Sequence, residues 1–290
     1  MMDLMWIAYS TGYLVFAVLF LLAGKTFFDM VTPYSVSVQL TGKDNVAVGI
    51  LVVGFLMGLT CIVCGVLVGD APEEPSLAVF WDELWETGLY GMVGMVLLFL
   101  SGIINDKVVL HKFSNQQEIV DRGNVAVAVV MAATYMGSAL IIAGGIRGCR
   151  GIPSMLIAFG FGQIALILFA GLYQFITSYD DQKELGERQN VAAALAWGGN
   201  LVGYGLILMK GLSMDQHLLD EWTWQDRMLH AGYYAIVGAV LLLITRLIND
   251  VLFLPKAKLS KEIVEDRNLN AGFMAAGLAV STGAVMVFCL

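Results

Sequence analysis

The chain has 290 residues, of which 58% are hydrophobic and 14% charged, and it carries a formal net charge of −8. Its mean hydropathy is +0.77, whereas an ordinary soluble domain carries about 25% charged residues. The composition excludes a water-soluble surface, and an acidic balance without a dense basic patch excludes nucleic acid as a partner.

The apolar residues fall into blocks of about 20 to 27, the length a helix needs to cross roughly 30 Å of hydrocarbon. In chain order they predict spans over 4–28, 45–69, 86–105, 122–146, 153–178, 190–212, 228–250 and 267–289. The expected fold is therefore an all-α integral membrane protein with about eight transmembrane helices, its partner being the lipid bilayer. The first segment, after Met1-Met2-Asp3, lacks the positive region of a signal peptide and is long enough to span, so it is read as a membrane helix. Cys61 and Cys64 form a CxxC inside the second span with no second pair and no nearby histidine, which favours packing thiols over zinc. Cys149 and Cys289 lie near span ends on one expected side, where a bridge and two free thiols both remain open.

Later spans carry scattered polar groups, among them Gln163, Gln174, Asn200, Tyr204, His230 and Thr245, expected to serve as interhelical hydrogen-bonding glue. Gly54 with Gly58, Gly160 with Gly162, and Gly199 with Gly203 offer small faces for close helix contact.

The chain repeats itself. The stretch LLFLSGIINDKVVLHKFSNQQEIVDRGNVAVAVVMAA returns 144 residues later as LLLITRLINDVLFLPKAKLSKEIVEDRNLNAGFMAAG, which divides the molecule into four-helix repeats at 1–147 and 148–290. Asn105-Asp106 corresponds to Asn249-Asp250, and Asn124 to Asn268. A finer echo places GKDNVAVG at Asn45 and ERQNVAAA at Asn190 beside DRGNVAVA at Asn124 and DRNLNAGF at Asn268, so every even span starts alike. Equivalent starts on one side make the two repeats parallel, unlike the inverted repeats of many secondary transporters.

Charge orients the bundle. Twelve of the sixteen Lys and Arg fall in the turns joining spans 1–2, 3–4, 5–6 and 7–8 or at adjacent helix ends. The opposite turns are acidic and carry Trp81, Trp85, Trp222 and Trp224, side chains that favour the headgroup boundary. This bias places the Lys/Arg-bearing turns in the cytoplasm and both termini outside.

Ionisable and amide groups at membrane depth are costly and mark functional candidates. Asp106, Asp250, Asn105 and Asn249 form one such set, with Arg246 one turn before Asp250 as an ion-pair partner. Two readings stand: hydrated interfacial carboxylates, or a cation or proton site between the repeats. Asn45, Asn124, Asn190 and Asn268 likewise read either as helix N-caps or as the polar lining of an ion pathway. No GxSxG, P-loop or HExxH is present, and His111, His217 and His230 are far apart, so neither catalysis, nor a metal, nor a cofactor is expected.

At NVAAALAWGGNLVGYGLIL from Asn190, at LSKEIVEDRNLNAG from Leu259, and in the small-residue-rich span ending at Leu290, the chain resembles the YjfL-like family of bacterial inner-membrane proteins, domain of unknown function family 350. Typical members are single four-helix units, so the resemblance implies two tandem copies. It further implies an inner-membrane location and, through gene neighbours resembling phage-shock membrane-remodelling proteins, a role in envelope maintenance with a cytoplasmic partner of that kind. Two functions follow as expectations: a channel-like or transport-associated component for a small ion, or a non-catalytic scaffold that docks envelope-stress proteins. Either admits a homo-oligomer.

Overall fold

A computed structural model of the chain describes residues 4–68, 76–148, 151–214, 221–249 and 258–289. Within them stand eight long helices: α1 (Leu4–Val31), α2 (Val46–Leu67), α3 (Leu77–Ile104), α4 (Val125–Arg147), α5 (Ile152–Ile176), α6 (Val191–Leu212), α7 (Trp224–Ile248) and α8 (Leu269–Cys289). All eight helices are long and apolar enough to cross a membrane.

Their starts follow from local chemistry. Asn45, Asn124 and Asn190 accept the orphan N–H groups of α2, α4 and α6, and a proline in the first turn opens α5 after Gly151. Two helices begin earlier than hydropathy alone suggests. α3 starts at Leu77 rather than near 86 because Ser76 caps it by accepting from the Val79 N–H; its charged first turns then stand beyond the apolar core, and the Tyr13 hydroxyl donates to Glu83 there. α7 starts at Trp224 rather than near 228, fixed by a capping box between Thr223 and Asp226.

The even helices α2, α4, α6 and α8 pack side by side in chain order as a single row. α3 lies against both α2 and α4, α5 against α4 and α6, and α7 against α6 and α8, while α1 lies on α2 and α3. α4 and α6, in the middle of the row, are the most buried. Glycine is required where the row closes: a Cβ on Gly54 would sit 2.5 Å from Ala132 Cα, one on Gly137 2.9 Å from the Leu201 carbonyl, and one on Gly199 2.2 Å from Ala276 Cα. Backbones this close gain dispersion contact that lipid cannot supply. Gly162 likewise packs on Ile141, whereas Gly160 faces open space and makes no close contact.

Much of the expected glue is in place. Gln163 donates to Ser138 between α5 and α4 at 3.1 Å, Tyr204 to the Ala235 carbonyl between α6 and α7 at 3.0 Å, and Thr245 meets Thr282 between α7 and α8 at 2.9 Å. The His230 ring approaches the Gly211 carbonyl at 3.0 Å. Asn200 differs, donating instead to the Ala196 carbonyl of its own helix. Trp81, Trp85 and Trp224 are exposed near the starts of α3 and α7. Cys61, Cys64 and Cys289 are free thiols; Cys149 lies outside the described residues.

Candidate functional site

Before each even helix the chain builds the same short device, over residues 39–45, 118–124, 184–190 and 262–268. A tight helical turn ends in one residue of left-handed backbone: Asp44 (φ 49°), Gly123 (φ 61°), Gln189 (φ 51°) and Arg267 (φ 47°). Three of the four are not glycine, and each such residue costs about 1–2 kcal/mol of backbone strain. The reversal aims the next residue, the capping Asn, back at the turn. Its N–H donates to the carbonyl six residues earlier, at 2.9 Å in Asn45, Asn124 and Asn190 and 2.8 Å in Asn268.

The side chains then close the device. Asn124 Oδ1 accepts from the Ala126 and Val127 N–H groups while its Nδ2 donates to Glu118 Oε2 at 2.8 Å. Asn190 repeats this with Glu184 at 2.9 Å, Asn268 with Glu262 at 2.8 Å, and Asn45 with Gln39, an amide in place of the carboxylate, at 3.2 Å. Glu118 and Glu184 are buried, and each is paired one turn on, with Arg122 at 2.7 Å and with Arg188 at 2.8 Å. A buried carboxylate is tolerable only with such partners.

The second hydrogen of three of these amides reaches the neighbouring device. Asn45 Nδ2 donates to the Ile119 carbonyl at 3.0 Å, Asn124 Nδ2 to the Leu185 carbonyl at 2.9 Å, and Asn190 Nδ2 to the Ile263 carbonyl at 2.8 Å. Four clasps are thereby chained along the end of the row that carries most of the Lys and Arg. Lys112 reinforces the middle junction, its N–H donating to Gln182 at 3.1 Å and its ammonium pairing with Asp180 at 2.6 Å, which holds the Asp180 carboxyl below its usual range.

The other sequence candidates lie nearby. Asn105 is buried, donating to Met131 Sδ at 3.0 Å. Asp106 accepts from the Asn115 N–H at 3.0 Å and lies 3.2 Å from the Lys107 ammonium, the same loop-bracing use that Asp29 makes of the Val36 N–H at 2.7 Å. Asn249 is buried with neither amide atom hydrogen-bonded. Asp250, and its pairing with Arg246, lie outside the described residues. Arg246 lies over the Tyr173 ring and donates to its hydroxyl at 2.8 Å.

A cavity of about 10 Å³ beside Asn105, lined in part by Ser101, Thr134 and Gln163, is the size of a single water. Among the described residues, no three His, Cys, Asp or Glu side chains stand close enough to hold a metal ion.

Sequence reasoning singled out the Asn residues but not their pairing with Glu, nor the burial of Asp181. The spacing from Gln39 to Asn45, Glu118 to Asn124, Glu184 to Asn190 and Glu262 to Asn268 was the available signal. Asp181 accepts from Thr177 at 2.7 Å through one oxygen, and its other oxygen has no partner. Burial pushes its carboxyl up to about 7, against the opposing pull of the Thr177 hydroxyl and Arg246.

The model of the family described as Domain of Unknown Function (DUF350) matches residues 3–146 and again 149–290. The UPF0719 transmembrane protein YshE of Bacillus subtilis (strain 168) is 29% identical over 123 residues, 42% of this chain and 82% of that protein. A UPF0719 transmembrane protein of Aquifex aeolicus (strain VF5) is 22% identical over 281 residues, 94% of this chain and 96% of its own. No solved structure matches significantly.

Proposed function

Because the chain belongs to the DUF350 family, in two tandem copies, we propose that it is a non-catalytic scaffold of the bacterial inner membrane, with both termini outside and its clasped rim facing the cytoplasm. The observation that carries this reading is the chaining of the clasps. Three successive amide-to-carbonyl bonds couple neighbouring helices at one end of the row, and two Glu–Arg pairs brace the turns that make them. Such cross-bracing makes a stiff surface, and a stiff surface binds a partner without a large ordering cost. Four charged residues of that rim, Lys112, Asp121, Lys183 and Glu187, are exposed. Their intended partner is a cytoplasmic protein of the membrane-remodelling kind.

Site-specific photocrosslinking in cells tests this. A crosslinker at Asp121 or Glu187 should yield one discrete adduct of a soluble protein, which purified chain in liposomes then binds directly; crosslinkers at lipid-facing Leu168 should not. Equal labelling at all three positions would defeat the docking role.

A second reading, a small-ion pathway, draws support from the polar cavity beside Asn105. Ion flux in liposomes that Asp106→Asn with Asp250→Asn abolishes would favour it; flux equal to empty liposomes removes it.

A further inference from the structure

The row is built from one interface used three times, and among the described residues both of its ends are left open. On the forward face of each even helix two small residues receive the next helix: Gly54 and Gly58 of α2 meet Ala132 and the Tyr135 carbonyl, and Gly199 and Gly203 of α6 meet Ala276 and the Ala279 carbonyl. On α4, Gly137 takes the same place against the Leu201 carbonyl. In α8 the equivalent positions, counted from the capping Asn, are Gly277 and Ser281. Both are exposed, and a Cβ on Gly277 would meet nothing within 4 Å.

The opposite end is open in the complementary sense. The receiving positions Ala132, Tyr135 and Ala139 of α4 correspond in α2 to Val53, Leu56 and Thr60. Val53 is 55% exposed and Thr60 is exposed too, because α1 packs elsewhere on α2, through Gly24 on Leu59 and Phe28 on Phe55. Val53 is bulkier than Ala132, and the residue it would meet, Gly277, has no side chain.

The polar register agrees with the apolar one. Asn45, Asn124 and Asn190 each spend one amide hydrogen on their own turn and one on a carbonyl of the next clasp. Asn268 makes the first of these bonds, to Glu262, and the carbonyl that would complete the pattern is that of Leu40, which follows Gln39 as Ile119 follows Glu118.

We infer that the molecule assembles head to tail with further copies of itself, α8 of one copy packing on α2 of the next through Gly277, Ser281 and the Asn268 amide. The contact is heterologous, with different surfaces on the two partners, so it generates rings where the step rotation closes and open rows where it does not. The occupant is a second copy because the two free faces are the two halves of an interface the chain already makes with itself. The assembly stands independently of the docking role.

Disulfide trapping in native membranes tests it. In a background with all four native cysteines replaced by alanine, Val53→Cys with Gly277→Cys should give, on mild oxidation, a ladder of dimers, trimers and higher species. Either single variant should stay at one chain. Dimers from a single variant would mean symmetric pairing and overturn the proposal, as would a double variant that crosslinks to a different protein or to nothing. Because Gly277 faces open space, Gly277→Trp should fold with an unchanged melting temperature and convert multiples of the chain to the single 31.4 kDa species in native mass spectrometry. A wild-type protein that is already a single chain there overturns the proposal as well.

Discussion

At the scale of single residues, the four capping Asn side chains are chemically alike but not equally loaded. Asn124 caps α4, satisfies the buried Glu118 and holds the next clasp, so Asn124→Ala removes a cap and leaves buried partners unpaired. The expected loss is about 2–4 kcal/mol, against about 1 kcal/mol for Asn268→Ala in the isolated chain, where the described residues offer its amide no cross-clasp bond. Unfolding both variants by denaturant titration in mixed micelles measures the gap, and equal losses would show that the amide-to-carbonyl bonds contribute nothing. Asp181 makes a different prediction. Its carboxyl is raised to about 7 by burial, above the unfolded value, so the stability held by its neutral form is complete below about pH 4 and is lost as pH rises through 7. Asp181→Asn mimics that neutral form. Its melting temperature should equal the wild type's near pH 4 and exceed it by several degrees at pH 8; a constant difference across that range would contradict a raised carboxyl.

At the scale of helices, the row is held by backbone contact at glycine rather than by large interdigitating side chains. Lipid is as apolar as leucine, so burial of hydrocarbon does little to drive helices together within the membrane, and close approach with dispersion must do so. Gly199→Ala would place a Cβ 2.2 Å from Ala276 Cα, which forces α6 and α8 apart and should cost about 1–3 kcal/mol. Gly160→Ala meets nothing within 4 Å and should leave stability unchanged or slightly raised, since alanine is the better helix former. Thermal unfolding of the two variants side by side distinguishes contact from propensity, because both make the same chemical change within a helix.

At the scale of the whole molecule, tandem repetition makes a row with direction: one clasped end, three equivalent steps and two unlike edges. Its proposed placement in the membrane rests on charge. Single cysteines at Lys112 and Trp85, at opposite ends of the bundle, should be labelled by an impermeant maleimide from the cytoplasmic side only and from the outer side only, in inverted vesicles and intact spheroplasts respectively. Reversed labelling would turn the bundle over and put the clasped rim outside.

The membrane class, the helix count and the duplication were legible in the linear sequence because lipid demands long uninterrupted apolar runs, and such runs need no tertiary context to be seen. The Asn caps were legible too, since each is a local device within a few residues of its helix start. What the Asn residues brace was not legible. That Asn124 reaches Leu185, that Glu118 is buried, and that Asp181 is nearly sealed from water depend on which surfaces the folded row brings together, distances set by packing between segments far apart in the chain. Sequence alone left cap and vestibule lining both open at those positions; the tertiary structure shows the cap at Asn45, Asn124 and Asn190, and it alone carries each of these amides to the next turn, because packing of the row brings that carbonyl within hydrogen-bond reach.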